Sequence, residues 1–277
     1  MHSSVVTDAP TPDMRVDAAE WYAARLAEFG GRVECVVPRG YAAYARILHP
    51  ANGPDGARVP WTAVAAAMGT VVHPLVQFAS LAGRVQYDER AAIGWPGENP
   101  TQGTLDVDQL SALCRVLSER TATGDECWLT VWEGWGNLPS EWRRSAPRIR
   151  QPHRAYYVFR RPLHDVVGFS VALHDLRDDS SASSGLLTRS SDPPGSEVST
   201  AHTGLASPTP IQSPSQWWPA DRSWCAATEV DFDSTLVGGS DALIADIISD
   251  PGLEAFQVGP TDDLTCRGDT MNPLPPH

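Results

Sequence analysis

Residues 217–256 read WWPADRSWCAATEVDFDSTLVGGSDALIADIISDPGLEAF, and their pattern sets the fold class. The run 224–232 alternates as a strand does. Trp224, Ala226, Thr228, Val230 and Phe232 would face one way, and Cys225, Ala227, Glu229, Asp231 and Asp233 the other, predicting a core face and an acidic face. Gly238 and Gly239 then interrupt, Ser240 offers a helix N-cap, and Leu243, Ile244, Ile247 and Ile248 recur at helical spacing ahead of Pro251. A further strand is predicted over 253–258. About 60 residues are too few to bury a stable core unaided. The segment is therefore expected to complete a sheet begun earlier in the chain, the alternative being a small separate C-terminal module.

Immediately upstream, serine, threonine, proline and glycine fill 23 of the 39 positions from 178 to 216, with no aromatic residue. Such a composition cannot offset its chain entropy by burial, so a disordered insertion acting as a spacer is predicted. Further upstream, β-branched and aromatic content predicts strands over 32–37, 41–48, 127–133 and 154–160. Helices are predicted over 17–29, where Asp17 and Glu20 suggest a capping box, and from Asp106, where Leu110, Leu113, Cys114 and Leu117 form one stripe. A shorter helix is expected after Pro60. Strands and helices mix without a regular βαβ rhythm. The expectation is an α+β fold with a largely antiparallel sheet and packed helices: a single domain over 13–277, interrupted by the insertion and preceded by a flexible 1–12.

The 277 residues carry a formal net charge of -13, and all 21 basic residues are arginine. The absence of lysine excludes Schiff-base catalysis and the lysine of a phosphate-binding P-loop. A pI near 4.9 argues against nucleic acid or an anionic membrane as partner. No stretch has the roughly 18 apolar residues of a membrane span, and the first residues lack a secretion signal, so a cytoplasmic protein is expected. Five scattered cysteines without a C-x-x-C pair point to neither a disulfide framework nor a cysteine zinc site.

Two constellations could carry chemistry. Val230-Asp231-Phe232-Asp233-Ser234-Thr235-Leu236 resembles the D-x-D-x-T-L motif of haloacid-dehalogenase-type phosphotransferases. That resemblance implies Asp231 as nucleophile, Asp233 as general acid and base, and a magnesium ion on the phosphate. The motif opens that family's domain, whereas here only 41 residues follow Leu236, too few for the rest of a doubly wound sheet. The other constellation is electrostatic. Seven arginines and no acid lie between Arg143 and Arg161, against eleven acids and two arginines over 217–277. The two segments are expected to lie near each other, with Arg154 among the bridging residues, so that the charge asymmetry is met inside the fold. The alternative use of these arginines is to bind an anionic ligand. Trp132-Glu133-Gly134-Trp135-Gly136 reads as a strand end and turn whose tryptophans either stack on a ligand or pack at the core's rim.

The segments VPWTAVAAAMG, CWLTVWEGWG, PHRAYYVFR and WWPADRSWCAATEVDFDSTLVGGS resemble a family of uncharacterised proteins from GC-rich bacteria, which implies no particular activity. The acidic, tryptophan-rich α+β character is also loosely similar to that of toxin-neutralising immunity proteins. Two functions remain in view. The first is a protein-binding module with an acidic, tryptophan-bearing surface formed by Trp132, Glu133, Trp135, Arg154 and Glu229. The second is a carboxylate-based, magnesium-assisted hydrolase or phosphotransferase using Asp231 and Asp233. A protein partner is expected for the first, and neither reading implies a resident cofactor or a metal site built from recognisable ligand spacing.

Overall fold

A computed structural model describes residues 10–83, 94–136, 138–152, 154–184 and 211–272. Its frame is a sheet of eight antiparallel strands: β1 (Ala43–Leu48), β4 (Cys127–Trp132), β5 (Ile149–Arg150), β6 (Ala155–Arg161), β7 (Gln216–Pro219), β8 (Cys225–Ala227), β9 (Ser234–Gly239) and β10 (Ala255–Val258). The order is β10-β1-β9-β8-β7-β4-β6-β5. β2 (Ala51–Asn52) and β3 (Arg58–Val59) form a separate ribbon. The helices are α1 (Glu20–Ala23), α2 (Trp61–Met68), α3 (Phe78–Leu81), α4 (Val107–Ser118), α5 (Ser140–Ser145), α6 (Val166–Ser184) and α7 (Asp241–Ser249). The α+β class and the antiparallel sheet match the sequence reading. So does the completion of the sheet by the C-terminal segment, since β7, β8 and β9 lie between β1 and β4.

Both faces of this sheet are buried, which corrects the expected division of residues 224–233 into a core and an acidic face. On one face Trp217, Trp224, Ala226 and Val237 join Leu129, Val131, Tyr157 and Phe159 under α4, α6 and α7. On the other, Cys225, Ala227 and Leu236 join Trp128, Val158 and Trp218 beneath the N-terminal segment. Strand β8 stops at Ala227 because the chain turns: the Phe232 N–H donates to the Glu229 carbonyl at 3.0 Å, and β9 returns antiparallel to β8. The carboxylates of Glu229, Asp231 and Asp233 consequently do not form a row along one strand.

The N-terminal cover departs from its predicted elements for the same reason, the need to roof an apolar face. Residues 32–37 are a 3-10 turn over Val33–Cys35 with a single bridge from Arg32 to Asp263, not a strand. A strand would have split Val33, Val36 and Val37 between two faces, whereas the turn buries all three. The helix predicted over 17–29 is reduced to a 3-10 turn and the four residues of α1, with no side-chain cap. Tyr22 is fully buried, but Phe29 is 55% exposed. The guanidinium groups of Arg25 and Arg222 lie within 6 Å of the Trp21 ring, at 5.9 and 4.8 Å, and that of Arg15 lies 4.7 Å from Trp128, so cation–π contacts fasten this cover to the sheet.

The helix caps follow the sequence closely. Asp106 accepts from the Asp108 N–H and Ser240 from the Leu243 N–H. Gln109 does not complete a capping box; its amide reaches across to the Leu48 carbonyl at 2.9 Å. The predicted insertion needs correction at both ends. α6 runs to Ser184, and residues 212–216 are buried. Ser213 binds Thr104 and the Leu105 N–H, and Ser215 donates its N–H to the Thr130 carbonyl, so these small polar residues are the lead-in to β7. Positions 185–210 lie outside the described residues. Of the expected flexible start, 1–9 also lie outside them, and Pro10 is buried.

Leu236 lies in a central strand with no exposed surface, so Leu236→Ala is expected to cost about 2–5 kcal/mol in urea denaturation. Val171, 38% exposed on α6, is expected to lose less than about 0.5 kcal/mol as alanine.

Candidate functional site

The ends of β4 and β8 and the start of β6 meet at one end of the sheet, and there the structure gathers most of the candidate residues. Arg154, immediately before β6, places Nη2 2.5 Å from Glu229 Oε1 and 2.8 Å from Asp231 Oδ2. Its guanidinium carbon also lies 4.9 Å from the centre of the Trp132 ring. The contact with Glu229 is an ion pair without hydrogen-bond alignment, and buried Arg154 Nε has no partner among the described residues. Burial pushes the Glu229 carboxyl up, against the opposing pull of Arg154. Asp231, with its side chain 74% exposed, forms the solvent side of the cluster.

Trp132 is occupied by packing. A Cβ on Gly134 would fall 2.1 Å from Trp132 Cζ2, so only glycine lets the turn pass this close to the ring. Trp135 meets Trp132 edge-on at 5.8 Å and covers Gly103, whose φ of 74° is itself a glycine conformation. The pair is thus rim packing with Arg154 against one of its rings, which favours the packing interpretation of the two over the stacking platform. Glu133 takes Arg148 as its partner at 2.5 Å. The arginine-rich segment therefore answers acids in several places. Arg154 alone among its ion-paired members reaches the C-terminal acids, while Arg160 pairs with Glu126 and Arg161 with Asp165.

Asp233 stands apart from the other candidates. It faces Arg46 of β1 at 3.5 Å, and burial raises its carboxyl while Arg46 opposes that shift. Arg46 is 1% exposed and is satisfied by Ser234 Oγ and the carbonyls of Pro74 and Val76. The two aspartates of the D-x-D motif are thus held by different arginines, in a turn and at the head of an antiparallel strand. The phosphotransferase family to which the motif is similar places them at the end of a parallel strand. Among the described residues, no group of three His, Cys, Asp or Glu side chains is placed to hold a metal ion.

Sequence reasoning missed three polar features behind the site. Gln151 and Gln216 exchange amide hydrogen bonds at 2.8 Å in both directions. Thr228, Thr235 and His49 form a buried chain: Thr228 Oγ1 to Thr235 Oγ1 at 2.7 Å, then Thr235 Oγ1 to His49 Nε2 at 2.9 Å. The Thr101 carbonyl, 2.7 Å from His49 Nδ1, can only accept, so Nδ1 carries the proton and Nε2 accepts from Thr235. The third feature is the Arg46 socket. Between Gln151, Gln216 and the Arg154–Glu229 pair lies a cavity of about 30 Å³, the space of one water, also lined by Tyr156, Cys35 and Thr228. Comparison of the chain with protein-family models, curated proteins and solved structures finds no match.

Removing Arg154 would leave a half-buried carboxylate alone, so Arg154→Met is expected to cost about 2–4 kcal/mol. Asp231→Asn is expected to cost under about 1 kcal/mol, both measured by chemical denaturation. His49 provides a pH test. Burial lowers its pKa to about 4, from about 6.5 in an unfolded chain. Between those values the unfolded state binds a proton that the folded state refuses, so the His49 contribution is intact above about pH 6.5 and falls as the solution is acidified towards 4. At pH 5 the loss amounts to about 2 kcal/mol. Asp233 and Glu229 shift in the opposite sense, so the quantity to compare is the difference in pH slope between the wild type and His49→Gln, which should show the flatter slope.

Proposed function

We propose that the protein is a protein-binding module that engages its partner through the sheet end bearing Trp132, Glu133, Trp135, Arg154, Glu229 and Asp231. The supporting observation is the combination of a rigid, ion-paired rim with the lack of room beside it. Glu229 and Arg154 border a cavity of about 30 Å³, whereas small-molecule sites occupy roughly 300–1,000 Å³. A hydrolase centred on Asp231 and Asp233 would need both carboxylates free to converge on a phosphate, and each is engaged by its own arginine. The rim instead suits recognition. Asp231 carries exposed negative charge, Trp135 supplies half-buried apolar area, and the ion pairs, Glu133 with Arg148 among them, and the edge-on ring contact hold the side chains in place before a partner arrives. The complementary surface is one with arginine or lysine beside an apolar side chain.

Gly136 is exposed, with open space where its Cβ would stand, and so accepts a photo-reactive residue without disturbing the packing. p-Benzoylphenylalanine at 136 is expected to cross-link a discrete protein in extracts of the source cells. The same reporter at exposed Ala66 should not, and Asp231→Arg should reduce the adduct. The contrary result would be magnesium-dependent hydrolysis of p-nitrophenyl phosphate that Asp231→Asn abolishes at unchanged melting temperature; this would replace the binding reading with the enzymatic one.

A further inference from the structure

The five cysteines fall into two classes. Cys114, Cys127 and Cys225 are buried, and burial pushes the thiols of Cys114 and Cys127 up to about 12 and raises that of Cys225 as well. Cys35 and Cys266 are half-exposed. Although they come from opposite ends of the chain, these two line one cavity of about 490 Å³, large enough for a small organic ligand.

The chain brings them together by an antiparallel contact. The Leu264 N–H donates to the Gly31 carbonyl at 2.7 Å, Arg32 bridges Asp263, and the Glu34 N–H donates to the Pro260 carbonyl at 2.8 Å. The Thr265 methyl sits 2.1 Å from where a Cβ on Gly31 would be, so glycine is required for this approach. A turn closed by the Gly268 N–H on the Thr265 carbonyl then carries Cys266, while Cys35 Sγ lies 3.6 Å from the Cβ position of Gly30. Cys35 thus packs beside Gly30 and Cys266 follows the residue packed on Gly31, and both line the cavity. Charges of both signs line its wall, Arg32 and Arg267 with Glu28, Glu34 and Asp263.

We propose that this cavity is a thiol-exchange site in which Cys35 and Cys266 react in turn with a low-molecular-weight disulfide and end as a Cys35–Cys266 bridge. In the first step one cysteine, deprotonated to the thiolate, attacks a sulfur of the reagent. The reagent's S–S bond breaks, one half leaves as a thiolate and takes up a proton from water, and a mixed disulfide remains on the protein. The second cysteine loses its proton, attacks the protein sulfur of that mixed disulfide and expels the other half as a second thiol. Two protein thiols are oxidised and one reagent disulfide is reduced to two thiols. The three remaining cysteines stay out of reach in the core.

The test treats the folded full-length protein with glutathione disulfide, or with the neutral bis(2-hydroxyethyl) disulfide, and maps alkylated peptides by mass spectrometry. The expected result is a peptide pair linked through Cys35 and Cys266, with Cys114, Cys127 and Cys225 alkylated only after unfolding. Cys266→Ser should stop at a glutathione adduct on Cys35, and Cys35→Ser at one on Cys266. Stable adducts on both cysteines with no linked pair, or equal modification of the buried cysteines in folded protein, would overturn the bridge.

Discussion

The strands β7, β8 and β9 are the keystone of this structure. They come from the last quarter of the chain yet occupy the middle of the sheet, joining β1 on one side to β4, β6 and β5 on the other. Without their backbone hydrogen bonds the remaining strands are two unconnected pieces. Because the faces above and below this middle region are both covered, its residues must be apolar or small on each side: Trp217 and Trp218 project in opposite directions and are both buried. The hydroxyls that do enter, those of Thr228, Thr235 and Ser215, enter in hydrogen-bonded sets, whereas the buried indole N–H groups of Trp217 and Trp224 have no partner among the described residues.

The same constraint organises the charge. A protein with thirteen excess negative charges holds one guanidinium, Arg46, fully inside and another, Arg154, almost so. Each stands at the same end of the sheet, where the turn between β8 and β9 delivers a carboxylate to it. Arg154 gathers Glu229 and Asp231; Arg46 receives Asp233 and the carbonyls of the loop before α3. Such partly buried pairs add little net stability over an apolar substitute, but they penalise any arrangement that leaves one member alone, and so they select the observed turn.

How much of this could be read in advance differs by element. The strands near 41–48, 127–133, 154–160 and 253–258 and the helices opened by Asp106 and Ser240 were legible because their signals are local: alternation, a capping side chain, a stripe at three and four residues. α6 was equally local, with Val166, Phe169, Leu173 and Leu176 in register, but Gly168 and the polar residues beyond Asp175 obscured it. The error at 224–233 had a different origin. Alternation was present, but whether its second face is wet or dry depends on a cover contributed by residues 16–37, far away in sequence. At the candidate site, the attraction between the basic and acidic segments was visible as composition, and Trp132, Glu133, Arg154, Glu229 and Asp231 do come together. That Asp233 would turn to Arg46 was not visible, since nothing local links those positions. The Gln151–Gln216 pair and the Thr228–Thr235–His49 chain left no mark in the sequence, because ordinary polar residues acquire such roles only by meeting.

The place of β1 carries one further consequence. Its partners on both sides, β9 and β10, follow far behind it in the sequence, so during synthesis β1 stands with two bare edges until residues 234–258 have emerged. Chain length alone makes the search for such distant neighbours slow. A chain interrupted before residue 234 would be released with its first strand unmatched, a natural client for chaperones.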